Sequence, residues 1–159
     1  MLSQEQNDLI TRTSAGTPAG DLMRRYWQPA ALVEELQGNR PIKPIRLFGE
    51  SLVVFRDEHG RYGLVGRHCP HRGTDLAYGR LEDGGLRCPF HGWLFDVNGK
   101  CLETPAEPQD SHLCANIQQK SYPVVEKSGI LFAYMGPGAP SALPAFDCFV
   151  APDSHTFAF

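Results

Sequence analysis

Two short and similar motifs stand close together in the sequence, and they constrain the fold more than any other feature. The first reads CPHRG at residues 69–73 and the second reads CPFHG at residues 88–92. Each motif offers one thiol and one imidazole, and 16 residues separate His71 from Cys88. The spacing predicts one site with four metal ligands, carried on two loops that the fold must bring together.

Two thiols and two imidazoles suit either of two metal centres. They can bind a tetrahedral zinc ion, or a [2Fe-2S] cluster in which two imidazoles replace two thiolates on one iron. Paired zinc ligands usually have about two to five residues between them, whereas a single residue separates Cys69 from His71. The spacing favours the cluster, and structural zinc stays open as the alternative.

The pattern C-x-H-x16-C-x-x-H, with CPHRG and CPFHGW around it, resembles the Rieske family of iron–sulfur proteins. The resemblance implies that Cys69 and Cys88 bind a buried ferric iron. It assigns His71 and His91 to the outer, redox-active iron. The expected cofactor is therefore a [2Fe-2S] cluster of the Rieske type, held by two loops within residues 67–93.

Residues beside the ligands have expected roles in this assignment. Gly73 and Gly92 are expected to let the loops turn tightly, so that backbone N–H groups reach the cluster sulfides. Trp93 is expected to shield the cluster. Arg72 and Arg87 flank the loops, either as solvated or intradomain groups or as a docking site for a partner's carboxylate.

The neighbours of the motifs also indicate the subtype. Rieske proteins of respiratory cytochrome complexes have an additional cysteine in each loop, where this chain has Thr74 and Phe90. They have hydroxyls after the second histidine, where this chain has Trp93 and Phe95. Fewer donors to the sulfurs predict a reduction potential near the low end of the Rieske range, about −150 mV rather than about +300 mV.

The rest of the chain predicts an all-β fold with short N-terminal helices, in which antiparallel β layers carry a cluster-binding subdomain of two loops. This is the Rieske [2Fe-2S] iron–sulfur fold that the resemblance implies. Short apolar or alternating runs between turn residues predict strands at 30–33, 45–48, 52–56, 62–65, 94–97, 100–103, 122–126 and 130–135. Asn98-Gly99 is expected to form a type I′ turn.

Two short helices are predicted before the first strand. Ser3 is a predicted N-cap with a capping box, and Thr17 before Pro18 caps a second helix that should end near Trp27. The segment Met23–Trp27 is expected to pack its aromatic rings on the sheet and to leave its arginines in solvent.

Other potential ligands are expected to be structural. Cys101, Cys114 and Cys148 are predicted to be free thiols in the core, because a reducing cytosol disfavours disulfides. His112 and His155 stand apart from any paired histidine and carboxylate and are expected at the surface. No catalytic residue is predicted in the chain.

The closest resemblance is to the α subunits of Rieske non-haem iron oxygenases of the phthalate dioxygenase branch. It rests on RRYWQPAAL, CPHRG and RCPFHGWLFDVNGKC and covers essentially residues 1–159. It divides the chain into an N-terminal helical segment (1–29), a Rieske domain (30–137), and a linker with the start of a missing catalytic domain (138–159). That missing domain is expected to bind a mononuclear Fe(II) through two histidines and a carboxylate.

The resemblance implies electron transfer to an oxygenase that hydroxylates or demethylates an aromatic small molecule. An NAD(P)H-dependent flavin/iron–sulfur reductase is the expected electron donor, and a homotrimer is the expected assembly. A stand-alone Rieske ferredoxin is the alternative, but the helices before the first strand and the residues after Pro140 favour the oxygenase.

Charge and hydropathy exclude other classes. The formal charge is −3 and no basic run occurs, which argues against a nucleic-acid partner. No apolar stretch reaches the roughly 18 residues that a membrane span requires, and the N-terminus is too polar for a signal peptide. The predicted compartment is the cytoplasm.

Overall fold

Short strands joined by tight turns form most of the molecule. Within the residues that the computed structural model describes, 1–108, 110–152 and 154–155, there are ten strands in three antiparallel sheets. The strands are β1 Gln28–Leu32, β2 Ile42–Leu47, β3 Glu50–Arg56, β4 Tyr62–Gly66, β5 Arg80–Glu82, β6 Gly85–Arg87, β7 Leu94–Phe95, β8 Cys101–Glu103, β9 Val124–Lys127 and β10 Ile130–Ala133. The sheet orders are β1-β10-β9, β2-β3-β4 and β5-β6-β7-β8. The predicted fold class is confirmed.

Strand β3 lies between two hydrophobic cores and contributes one face to each. Val53 and Phe55 pack into one core, whereas Leu52 and Val54 pack into the other. Successive side chains of a strand point to opposite faces, so a strand covered on both sides needs a continuous apolar run.

The first core lies under the two motif loops and is named the loop core. It comprises Val53, Phe55, Val65, Cys69, Leu76, Ala77, Leu86, Cys88, Trp93, Phe95 and Cys101.

Two-residue turns close the hairpins β2-β3, β5-β6 and β9-β10. In β5-β6 the turn is Asp83-Gly84, with φ of 53° and 74°, and it follows the paired residue Glu82. Positive φ at both turn residues defines a type I′ turn, whose twist matches that of the strands. The turns Phe48-Gly49 and Ser128-Gly129 have the same pair of positive φ angles.

The prediction of a type I′ turn at Asn98-Gly99 is wrong. Gly99 has a φ of 77°, but Asn98 does not have a positive φ. The Oδ1 of Asp96 accepts from the backbone N–H groups of Asn98 and Lys100 at 2.9 and 2.8 Å. The carboxylate therefore fixes a three-residue loop in which the final glycine takes the left-handed conformation.

Both predicted helix N-caps are confirmed. Ser3 forms a capping box at the start of α1, Gln4–Thr11. Thr17 caps α2, Pro18–Met23, which ends before the predicted position near Trp27.

The segment after α2 exposes different side chains from those predicted. Arg24 is 5% exposed and donates to Glu50 Oε1 at 2.6 Å and to the Phe48 carbonyl at 2.9 Å. Tyr26, by contrast, is 62% exposed. The prediction is wrong for Arg24 and Tyr26. Arg24 is buried because a carboxylate and a carbonyl at the β2-β3 turn offset the cost of burying the guanidinium.

The predicted strands each have a counterpart, with ends displaced by a few residues. Strands β5 and β6 have no predicted counterpart, because each is only three residues long. The expectation that residues 138–159 form a linker and the start of a further domain falls partly outside the described residues, and the division at 29 and 137 stays a prediction. None of the described helices is long and apolar enough to cross a membrane.

Candidate metal centre

The first motif folds as a tight loop closed by its own backbone. The N–H of Cys69 donates to the Thr74 carbonyl at 2.9 Å, and the N–H of Gly73 donates back to the Cys69 carbonyl at 2.8 Å. Gly73 has a φ of 72°, a conformation that glycine adopts without steric cost. The loop therefore presents the side chains between Cys69 and Gly73 outward from a fixed base.

The second motif repeats both of these hydrogen bonds. The N–H of Cys88 donates to the Trp93 carbonyl at 2.8 Å, and the N–H of Gly92 donates to the Cys88 carbonyl at 3.2 Å. Gly92 has a φ of 77°, and a β-carbon at this position would lie 3.2 Å from Pro105 Cγ. The two loops are thus structural equivalents, although the histidine stands one position later in the second.

The thiols of the two loops meet in the loop core. Cys69 and Cys88 are each 3% exposed, and each thiol lies close enough to the other to interact electrostatically. Burial raises the pKa of the Cys69 thiol, although backbone N–H groups of His71 and Arg72 that point at its sulfur act in the opposite direction. These N–H groups would stabilise negative charge on the sulfur when a cation binds there.

The imidazoles of the two loops lie together on the outer side. The ring centroids of His71 and His91 are 4.7 Å apart, and both residues are half-buried. Desolvation lowers the pKa of His91, and the nearby charges of His71 and Arg72 lower it further. A lowered pKa favours the neutral imidazole, which is the form that binds metal.

The four donors are arranged as two pairs. Among the described residues, no group of three or more histidine, cysteine, aspartate and glutamate side chains surrounds a position for a single metal ion. Tetrahedral zinc needs its protein ligands around one ion, whereas a Rieske cluster takes two thiolates on one iron and two imidazoles on the other. The buried thiol pair and the outer imidazole pair fit the second arrangement.

Arg87 holds the second loop in place from within the domain. It is 8% exposed, forms ion pairs with Glu103 at 2.7 Å, with Asp83 at 3.0 Å and with Glu82, and donates to the Gly92 carbonyl at 2.8 Å. Burial acts to lower the pKa of Arg87, but the carboxylates outweigh it and raise the pKa. The intradomain interpretation is confirmed for Arg87, whereas Arg72 is exposed.

Gln119 holds the first loop, and sequence reasoning missed it. Its side chain is buried, and Nε2 donates to the carbonyls of Gly66 and His68 at 2.7 and 2.9 Å. No local pattern marks this residue, because it lies about fifty positions beyond its partners in the chain. The Arg67–Asp75 ion pair, 2.6 Å, closes the same loop from the other side.

The remaining predicted positions have mixed outcomes. His112 and His155 are exposed, as predicted. Cys101 is buried and Cys114 is half-buried, but Cys148 is exposed. The prediction is wrong for Cys148, because this residue lies on a short 3-10 turn, Asp147–Phe149, that has no buried residue.

Residues 26–125 match the family model of the Rieske [2Fe-2S] domain. The match includes both loops and more than half of the 159 residues. The chain therefore belongs to the Rieske [2Fe-2S] family.

Curated relatives that match the chain are oxygenase subunits. The 5,5'-dehydrodivanillate O-demethylase oxygenase subunit of Sphingobium sp. is 46% identical over 153 residues, 94% of this chain and 36% of the relative. The phthalate 4,5-dioxygenase oxygenase subunit of Pseudomonas putida is 45% identical over 148 residues, 92% of this chain and 33% of the relative. The chain spans about a third of the length of these relatives.

Solved structures of oxygenases are also similar to the chain. Dicamba monooxygenase bound to dicamba has a TM-score of 0.67 and 33% identity, and the match covers 81% of this chain and 41% of that one. The reduced oxygenase–ferredoxin complex of carbazole 1,9a-dioxygenase has a TM-score of 0.65 and 28% identity, over 76% of this chain and 31% of that one.

Proposed function

We propose that the two loops bind a Rieske [2Fe-2S] cluster and that the domain transfers electrons. The thiolates of Cys69 and Cys88 bind one iron. The imidazoles of His71 and His91 bind the other. The observation that carries this proposal is the division of the donors into a buried thiol pair and an outer imidazole pair. When bound, such a cluster accepts and releases one electron.

The residues around the ligands hold the loops and limit access of water. Gly73 and Gly92 allow both turns, and the equivalent hydrogen bonds at the base of each loop limit how far the ligands can move. Trp93 covers the inner face of the His71 ring with a stacked indole at 4.4 Å between centroids. A fixed, partly dry ligand shell keeps the rearrangement that accompanies electron transfer small.

The imidazole side is the face that an electron-transfer partner reaches. His71 and His91 are half-buried, whereas the thiols lie in the loop core. The donor is an NAD(P)H-dependent flavin/iron–sulfur reductase, directly or through a ferredoxin. The oxygenase–ferredoxin complexes among the structural neighbours support such a partner.

The whole protein is proposed to be a cytoplasmic Rieske oxygenase, assembled as a homotrimer, that acts on an aromatic small molecule. Its mononuclear Fe(II) would lie in a catalytic domain that the relatives have outside the matched third of their length. The demethylase and dioxygenase activities in the relatives' names support this reading over a stand-alone ferredoxin. The gene region after residue 159 distinguishes the two, since a second iron-binding motif supports the oxygenase and a stop codon supports the carrier.

Metal and sulfide analysis tests the cluster. Freshly purified protein is expected to be red-brown, with about two iron atoms and two sulfides per chain. Its reduced electron paramagnetic resonance spectrum should have the low average g value of imidazole-ligated clusters. One zinc ion per chain, no sulfide and a colourless protein would contradict the proposal.

A ligand exchange tests the individual assignments. His71→Cys should either prevent assembly of the cluster or lower its midpoint potential toward the roughly −400 mV of all-cysteine clusters. His112→Cys is the matched control, because His112 is exposed and outside both loops. An unchanged midpoint in His71→Cys would mean that His71 is not a ligand.

A further inference from the structure

Two thiols that belong to neither motif lie against each other at the edge of the loop core. The Sγ atoms of Cys114 and Cys101 are 3.4 Å apart, and the Cys101 thiol also points at the Glu103 carbonyl at 3.5 Å. Cys101 is 2% exposed, whereas Cys114 is half-buried. Neither thiol has a role in the proposed cluster site.

The chain that follows β8 contacts both cluster loops. This segment, residues 104–119, is named the strap, and Cys114 lies on it, whereas Cys101 lies on β8. At one end Pro105 packs against Gly92 of the second loop. At the other end Gln119 donates to the carbonyl of His68 beside the first loop. A covalent bond between the two thiols would fix the strap across both loops.

We propose that Cys101 and Cys114 are an oxidisable thiol pair, which a peroxide converts into an intradomain disulfide. The thiolate of Cys114 attacks one oxygen of hydrogen peroxide, the O–O bond breaks, and a sulfenic acid and one water result after proton transfer. Cys101 then attacks the sulfenic sulfur, the S–O bond breaks, and the second water leaves with the thiol proton. Two thiols lose two electrons and two protons, and one peroxide is reduced to two waters.

The geometry favours this pair and this order of steps. A disulfide bond is about 2.05 Å long, so the sulfurs, now 3.4 Å apart, must approach by about 1.4 Å. Cys114 can supply this movement, because it lies on a three-residue 3-10 turn, Cys114–Asn116, without buried residues. Cys101 is held in a paired strand. The more exposed Cys114 therefore meets peroxide first.

Peptide mapping of the cluster-loaded protein tests the proposal. Trypsin cleaves after Lys100 and Lys120, so Cys101 and Cys114 fall within one peptide, whereas the other cysteines fall in other peptides. After graded hydrogen peroxide and alkylation, peptide 101–120 should be lighter than its dithiol form by two hydrogen atoms and should carry no alkyl group. Absorbance of the cluster in the same samples reports its integrity separately.

Two variants and an internal control make the result decisive. Cys114→Ser should leave Cys101 alkylatable at every peroxide dose, and Cys101→Ser should drive Cys114 to sulfinic acid. The exposed Cys148 reports the dose at which an isolated thiol is oxidised. The proposal is overturned if peptide 101–120 is still a dithiol at a dose that oxidises most of Cys148. It is also overturned if Cys114 reaches sulfinic acid in the unmodified chain.

The disulfide also predicts a structural effect. Because it closes a short loop, opening of the strap should become rarer, and cleavage by thermolysin within residues 104–113 should slow by about tenfold or more. Reduction with dithiothreitol should restore the original rate. A rate that oxidation does not change would contradict the predicted fixing of the strap.

Discussion

Trp93 lies flat on the imidazole of His71, with ring centroids 4.4 Å apart and ring planes 7° from parallel. On the other side of the imidazole pair, Phe90 contacts His91 with centroids 3.8 Å apart. Trp93 is 6% exposed and Phe90 is 61% exposed. One imidazole is therefore covered from the interior of the domain, and the other is covered from the solvent side.

Replacing Trp93 should affect both stability and cluster lifetime. Trp93→Leu removes a large buried ring, so the free energy of unfolding should fall by about 3 kcal/mol. Water then reaches His71, and the visible absorbance should bleach faster in air. Phe90→Leu is the matched control, with an expected change within about 0.5 kcal/mol. Equal bleaching rates in the two variants would contradict the shielding role of Trp93.

The two loop glycines should differ in their tolerance of alanine. Both have positive φ, 72° at Gly73 and 77° at Gly92, and this conformation costs alanine about 1–2 kcal/mol. Only at Gly92 would the new methyl group also meet a neighbour, Pro105 Cγ at 3.2 Å, whereas at Gly73 nothing lies within 4 Å. Chemical denaturation should rank Gly92→Ala below Gly73→Ala in stability, and the reverse order would contradict the close contact with Pro105.

Removing the guanidinium of Arg87 should destabilise the second loop. Arg87→Met leaves Glu103 and Asp83 without their cation, and we expect a loss of about 2–3 kcal/mol in the free energy of unfolding, measured by urea denaturation. Arg80→Met is the control, because Arg80 shares the partner Glu82 but is well exposed and lies 3.4 Å from it. Exposed pairs contribute about 0–1 kcal/mol. If both variants lost a similar free energy of unfolding, the burial of Arg87 would make no additional contribution to stability.

Glu50 should make the stability of the domain depend on acid pH. Burial raises the pKa of this carboxyl, but hydrogen bonds from Lys120, Tyr122 and Arg24 outweigh it, so the pKa lies below its ordinary value of 4.5. A carboxyl with a lowered pKa in the folded state stabilises the fold above its unfolded pKa. This stabilisation is lost as the pH falls from about 4.5 through the lower, folded-state pKa.

The variant Glu50→Gln tests this dependence. At pH 7 it should unfold about 1–3 kcal/mol more easily than the unmodified chain, because it replaces a charged acceptor by a neutral one. Thermal melts from pH 7 to pH 3 should show the two proteins converging below pH 4.5. The exposed Glu34→Gln is the control, with a difference of at most about 0.5 kcal/mol. A difference in melting temperature between Glu50→Gln and the unmodified chain that stayed constant from pH 7 to pH 3 would contradict the lowered pKa of Glu50.

The features that could be predicted from the sequence are those that nearby residues determine. The helix caps at Ser3 and Thr17, the apolar run of β3 and the two loops each depend on side chains a few positions apart. The turn at Asn98-Gly99 shows the limit of such reasoning. The dipeptide favours a type I′ turn, but the carboxylate of Asp96 accepts from two backbone N–H groups and selects another turn.

The features that could not be predicted depend on partners distant in the chain. Arg24 is buried because Glu50 lies beside it, 26 positions later. Gln119 fixes the carbonyl of His68 from 51 positions away. The two motifs identify the candidate ligand residues, and the family resemblance implies the separation of thiols from imidazoles, but the distance between the two imidazole rings depends on the folded loops. Tertiary contacts of this kind leave no periodicity in the sequence.

Strand β3 places neighbouring side chains in different cores. Val53 and Phe55 support the cluster loops, whereas Leu52 and Val54 pack with the sheet on the far side. A shift of this strand by one residue would exchange the two sets, so the register of β3 determines the packing of both cores. We therefore expect assembly of the redox centre and unfolding of the sheet on the far side to depend on the same segment of backbone.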